Sequence, residues 1–187
     1  MDRGILKWEA AGIPFTVLIG SALHYAFACS GYWLPLALVA AVNESVWEHL
    51  KLAFWPGLLW ALLEYFVLKI DARNFWVAKG LALLVAPTVI VIIFYGYTSI
   101  LGRNLLALDI TTFVLAIAIG QLSSALLINS EMKFNWARST GAILLAIQLA
   151  AYSSFTFYPQ AFGIFVDSRN GTRGIPPVSS HDKSSAH

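Results

Sequence analysis

Five stretches of this sequence, residues 11–29, 52–68, 80–101, 105–128 and 141–158, are each long and apolar enough to cross or nearly cross a bilayer as a helix. A hydrocarbon core of about 30 Å takes about 20 helical residues. In lipid every backbone N–H and C=O must be satisfied within the protein, and a helix does this inside one segment. The expected fold is therefore all-α: a polytopic transmembrane helix bundle with five spans, one domain over residues 1–173, and a polar tail at 174–187. Only 12% of the residues are charged, against roughly 25% in a soluble domain, and at this length no separate soluble module fits. The net charge of +2 is too small to point to nucleic acid as a partner. The lipid bilayer is the expected partner.

Arg3 and Lys7 precede the first run, and Ala26-Phe27-Ala28 loosely resembles a signal cleavage site. Trp8 and Glu9 make a poor n-region, so the run reads as an uncleaved first span. The single cysteine, Cys29, offers no disulfide or C-x-x-C site and is expected to pack as a small apolar residue. Pro14, Pro56 and Pro87 lie inside runs, where membrane helices tolerate a kink because neighbours re-satisfy the freed carbonyls. The apolar piece LPLALVAAV, within residues 34–43, is too short to span; it reads as a re-entrant or interfacial segment, or as the start of a longer second helix. Non-helical backbone at that depth requires burial by protein or contact with water.

With five spans, Arg3, Lys7, Lys69, Arg73, Lys79, Lys133 and Arg138 fall on one side and Lys51, Arg103, Arg169, Arg173 and Lys183 on the other. The excess places the N-terminus in the cytoplasm of a multi-pass cell-membrane protein. Trp8, Trp33, Trp47, Trp55, Trp76 and Trp136 sit near run ends, as an aromatic belt would. The tail GIPPVSSHDKSSAH has a disordered composition, and its His181 and His187 are not site candidates.

Between the first two runs lies VNESVWEHLK, residues 42–51, with four ionisable groups: Glu44, Glu48, His49 and Lys51. Ser45-Val46-Trp47-Glu48 fits the S-x-x-E capping box before an apolar run, with Asn43 as an alternative cap and Lys51 snorkelling to the headgroups. The other reading is a polar site. On a helix, Glu44, Glu48 and Lys51 would share one face at i, i+4 and i+7. The topology brings His24, Asp109, the stretch Phe155-Thr156-Phe157-Tyr158-Pro159, and Asp167 to the same side. An ionisable group inside an apolar run is costly and faces a partner or water, which makes His24 and Asp109 candidates beside the segment. Capping and a site are even readings for Glu48, and for Asp109 a salt bridge to Arg103 or Lys51 competes evenly with chemistry. Glu64 is expected to pair with Lys69 or snorkel, and Gln121 and Gln148 to hydrogen-bond between helices. The N-x-S/T triplets at Asn43 and Asn170 are common by chance and carry no weight.

The string NESVWEHLKL, the preceding GSALHYAF and the later FTFYP, F-x-D and G-T-x-G elements resemble a family of small multi-pass membrane proteins, mainly bacterial, filed as a domain of unknown function. The resemblance covers about residues 15 to 175. The family pattern tends to carry proline where this chain has Gln160 and Ser168, and tyrosine where it has Arg173. The resemblance implies the helical membrane fold and no activity.

Three functions compete. A metal-dependent intramembrane hydrolase of a lipid or small amphiphile would use Glu44, Glu48, His49, Lys51 and Asp109 as catalytic groups, with His24, Glu48 and His49 as ligands to zinc or another divalent metal. No H-x-x-x-H or H-E-x-x-H spacing supports it. A small-solute or proton-coupled transporter would use the same groups as a relay, with a homo-oligomer compensating for the small number of spans. A non-catalytic scaffold subunit would use them to hold helices together.

Overall fold

The computed structural model describes residues 2–68, 72–130 and 136–176, without the side chains of residues 72 and 73. Among the described residues five α-helices follow in order: α1 (Arg3–Cys29), α2 (Val46–Leu68), α3 (Ala72–Leu101), α4 (Leu106–Ile128) and α5 (Ala137–Ser154). Helices α1 to α4 are long and apolar enough to cross a membrane. Helix α5 has 18 residues, about 27 Å at the helical rise, and its first turn carries Arg138, Ser139 and Thr140. It is not among the helices long and apolar enough to cross, so four of the five expected spans are found among the described residues.

Helix α1 packs on α2 and α4, and α3 packs on α2 and α4, so the four long helices close a ring. Helix α5 docks on the outside, chiefly on α3. The bundle is apolar outward and polar inward. Leu18, Phe66, Ile92, Ile100 and Leu106 are exposed, whereas Glu9, Glu48, Lys51, Glu64 and Lys79 are buried. This is the arrangement for a hydrocarbon solvent, where a charge must face a partner inside. Pro14, Pro56 and Pro87 all lie within continuous helices.

Close helix approach is set by small residues. A Cβ on Gly20 would fall 2.5 Å from the Leu52 carbonyl oxygen, and one on Gly141 would collide with the backbone of Trp76 and Val77. Gln148 Nε2 donates to the Gly80 carbonyl at 2.9 Å, the interhelical role expected of it.

Residues 34–43 do not cross the bundle and do not extend α2. They form a 3-10 turn at Leu34–Leu38 followed by irregular backbone, with Ala37 and Ala40 fully buried. The reversal before them uses Gly31 and Tyr32 at positive φ, 68° and 62°. Cys29, expected to be packed, is exposed at the end of α1.

At the opposite end of the ring, Lys79 on α3 pairs with Glu9 of α1 at 2.7 Å and Glu64 of α2 at 2.5 Å. Glu64 is thus fully buried and neither snorkels nor needs Lys69, which lies outside the described residues. The expected polar tail begins with packed chain: Gly174 is buried and Ile175 rests on the Phe27 cluster. Residues 177–187, with His181 and His187, lie outside the described residues.

Candidate functional site

Helix α2 starts at Val46, so Glu44 precedes the helix and cannot share a helical face with Glu48 and Lys51. The reason is the turn before it. Asn43 Oδ1 accepts from the Ser45 N–H at 2.8 Å, an Asx turn that competes with helix. Ser45 Oγ then accepts from the Glu48 N–H at 3.4 Å, the weak half of a capping box. The other half is replaced, because the Glu48 carboxylate reaches back to the Val42 N–H at 3.1 Å.

Two neighbouring polar groupings result. The first is closed. Lys51 is fully buried and does not snorkel. Its Nζ meets Glu48 Oε2 at 2.7 Å, the Ala37 carbonyl at 2.8 Å and Thr156 Oγ1 at 2.8 Å. Thr156 in turn donates to Glu48 Oε1 at 2.8 Å. All three ammonium protons and both carboxylate oxygens are used, the condition under which a buried pair is tolerated. Ala37 and Val42 belong to the irregular segment, so the ion pair supplies partners for backbone that no helix satisfies. Replacing Thr156 with Val should lower stability by about 1–3 kcal/mol, because both charged groups lose a partner in a buried setting. A denaturation midpoint unchanged in Thr156→Val would refute this role.

The second grouping is open. His24, near the end of α1, Glu44 and His49 each offer a ligand atom, all within 4.8 Å of one another; among the described residues it is the group of His, Cys, Asp and Glu that converges in this way. Glu44 Oε2 lies 3.5 Å from His49 Nε2, and Glu44 Oε1 lies 3.9 Å from His24 Nε2. The two imidazole rings are 5.0 Å apart. His49 Nδ1 lies 2.8 Å from the Ser45 carbonyl. The carbonyl can only accept, so Nδ1 carries a proton and Nε2 is the ring nitrogen turned toward Glu44. His24 Nδ1 is buried without a partner, so its tautomer is not fixed in this way. The side chains of His24, Glu44 and His49 are 22%, 25% and 36% exposed, so solvent reaches the group.

The C-terminal segment holds Glu44 in place. Asp167 Oδ2 accepts from the Glu44 N–H at 3.3 Å, and Asn43 Nδ2 donates to the Gly174 carbonyl at 2.8 Å. A tight turn between Asp167 and Arg173 brings Arg169 to 3.2 Å from Glu44 Oε1. Arg169 is 73% exposed, so its pairing adds little.

Asp109 joins neither grouping. It accepts from the Tyr97 hydroxyl and from Asn104 Nδ2, and so closes the turn between α3 and α4 in place of the expected bridge to Arg103 or Lys51. Trp47 stacks on Tyr152 at 4.9 Å and packs against Phe165. Sequence reasoning placed the stretch with Thr156 on this side of the membrane but did not single out its hydroxyl, and it gave no site role to Arg169 or the Glu9–Lys79 pair. The spacing of Glu9, Gly12, Thr16 and Gly20, all buried on α1, was a usable signal for the last, since it marks one polar and small-residue face of an apolar helix.

Long apolar helices closed around buried ion pairs, with irregular backbone capped by one of those pairs, define a polytopic α-helical membrane protein. The chain belongs to a family of unknown function, DUF6512, which matches residues 3–175. This agrees with the resemblance read from the sequence. No curated protein and no solved structure matches the chain.

Proposed function

We propose that this protein is a metal-dependent membrane hydrolase acting on a lipid or small amphiphile, in the cell membrane with its N-terminus in the cytoplasm and the His24–Glu44–His49 group toward the outer face. The reading is carried by one observation: two imidazoles and a carboxylate converge to within 4.8 Å on surfaces open to solvent. A tetrahedral zinc with bonds of about 2.0 Å separates its donors by about 3.3 Å. The separations of 3.9 Å from His24 to Glu44 Oε1 and 3.5 Å from His49 to Glu44 Oε2 approach that value, so the carboxylate would bind through both oxygens or turn to present one. Glu44 replaces Glu48 in the ligand set proposed here, because both oxygens of Glu48 are engaged by Lys51, Thr156 and Val42.

A divalent ion held by these three residues would supply Lewis-acid chemistry and an activated water at a fourth position. The chain's own residues would do the rest. The Ser45 carbonyl holds the His49 ring in its binding tautomer. Arg169 yields one Glu44 oxygen at little cost because it is exposed, and then stands beside the site as a partner for an anionic group on the substrate. The Glu48–Lys51 pair anchors the turn that presents Glu44.

Zinc titration of the detergent-purified protein, read by elemental analysis, should give about one ion per chain. Glu44→Gln and His49→Ala should bind at least about 100-fold more weakly while remaining folded, since even the loss of an outer partner of a ligand costs 10–100-fold. Stoichiometric binding that survives both substitutions would refute the ligand set. A second reading, a proton-coupled carrier, is favoured by the buried carboxylates at the far end of the bundle, and substrate-driven proton flux in vesicles would select it.

A further inference from the structure

The Glu9–Lys79–Glu64 cluster is unbalanced in charge. Two carboxylates from α1 and α2 share one ammonium from α3, and the three residues are 1%, 0% and 3% exposed. Glu9 is six residues into its helix, Glu64 four residues from the end of α2, and Lys79 seven residues into α3, so the cluster sits about 6–10 Å inside the helix ends. Fully ionised, it would carry a net negative charge inside a low-dielectric bundle. Among the described residues no other ion pair reaches it, and the neighbouring polar side chain of α4, Gln121, is neutral.

The hydrogen bonding is incomplete in the same sense. Lys79 Nζ donates to Glu9 Oε1. It also lies 2.5 Å from Glu64 Oε2, which leaves Glu64 Oε1 and Glu9 Oε2 without a hydrogen-bond partner. Two carboxylate oxygens, one on each glutamate, are thus buried and unpartnered. Two carboxylates held against one nitrogen repel each other, and one added proton removes the excess charge and supplies a missing donor. A cavity adjoins the cluster, lined by Lys79, Thr16, Gly57, Ala82, Gly120 and Gln121. It is large enough for a water molecule, and the buried Thr16 Oγ1 on its wall also lacks a partner.

We propose that Glu9, Glu64 and Lys79 form a proton-binding site in which the two carboxyls hold one exchangeable proton, with water in the adjoining cavity as the route by which it is exchanged. The step is an acid–base equilibrium: a carboxylate lone pair takes a proton from hydronium, water is left behind, and the cluster becomes neutral. This site is distinct from the His24–Glu44–His49 group and does not depend on the hydrolase reading.

Infrared spectroscopy of the detergent-purified protein tests it. At neutral pH the wild type should show the C=O stretch of a protonated carboxylic acid, shifting on transfer to D2O and disappearing at high pH. Glu9→Gln and Glu64→Gln should each abolish the band, because either leaves Lys79 with one carboxylate and a neutral pair. Absence of the band in folded wild type would overturn the proposal without recourse to any variant. So would a band that persists in both variants, or one lost on adding sodium at fixed pH, which would make the cluster a metal-cation site.

Discussion

Lys51→Met should cost about 3–5 kcal/mol of unfolding free energy, the range for removing one partner of a buried ion pair. Lys51 is fully buried, and its Nζ ties Glu48, Thr156 and the Ala37 carbonyl together. Without the ammonium, Glu48 is left as a buried carboxylate with only Val42 and Thr156 as donors, and the Ala37 carbonyl loses the side-chain partner that satisfied it. Replacing both members, Lys51→Met with Glu48→Leu, should recover part of the loss, since no charge is stranded. The recovery stays incomplete because the Val42 N–H and the Ala37 carbonyl remain unpartnered. Equilibrium denaturation in detergent measures all three proteins. A Lys51→Met protein within about 1 kcal/mol of wild type would mean that water already reaches the pair.

Gly141→Leu should detach α5, at a cost near the upper end of the 1–3 kcal/mol typical of overpacking or about 1 kcal/mol beyond it. A side chain at this position would meet the Trp76 carbonyl carbon and the Val77 nitrogen. These are backbone atoms of α3 and cannot rotate aside as a side chain would. Since α5 rests chiefly on α3, the helices must separate, which also draws Gln148 from the Gly80 carbonyl and Thr156 from the Glu48–Lys51 pair. Proteolytic cleavage between α4 and α5 should accelerate in step with the loss of stability. Equal protease resistance in Gly141→Leu would show that α5 packs with more slack than the Trp76 backbone allows.

The apolar runs predicted the helices because lipid leaves the backbone little alternative. Glutamine in mid-membrane likewise has few outcomes, and Gln148 took the expected one. The polar segment was legible only as a place. Its residues were named, but Glu44 was put on a helix that begins two residues later, and snorkelling to the headgroups, one of the two readings of Lys51, does not fit a side chain that lies in the core. Both errors have one source. The Asx turn at Asn43 and the backward reach of Glu48 to Val42 are short-range choices among several that the same residues permit. Which is taken depends on Thr156, more than a hundred residues away.

By itself the sequence determined that the chain lives in a bilayer, that it does so as helices, and that its ionisable residues gather toward helix ends. These follow from hydropathy and length, which are local properties. Partner choice was decided only by the tertiary structure: Glu44 with the two histidines, Glu48 with Lys51 and Thr156, and Glu9 and Glu64 on one lysine. Charges in a low-dielectric interior are paired by the order and rotation of helices around the ring. Those are set by where small residues such as Gly20 and Gly141 let backbones approach, and no single segment encodes them.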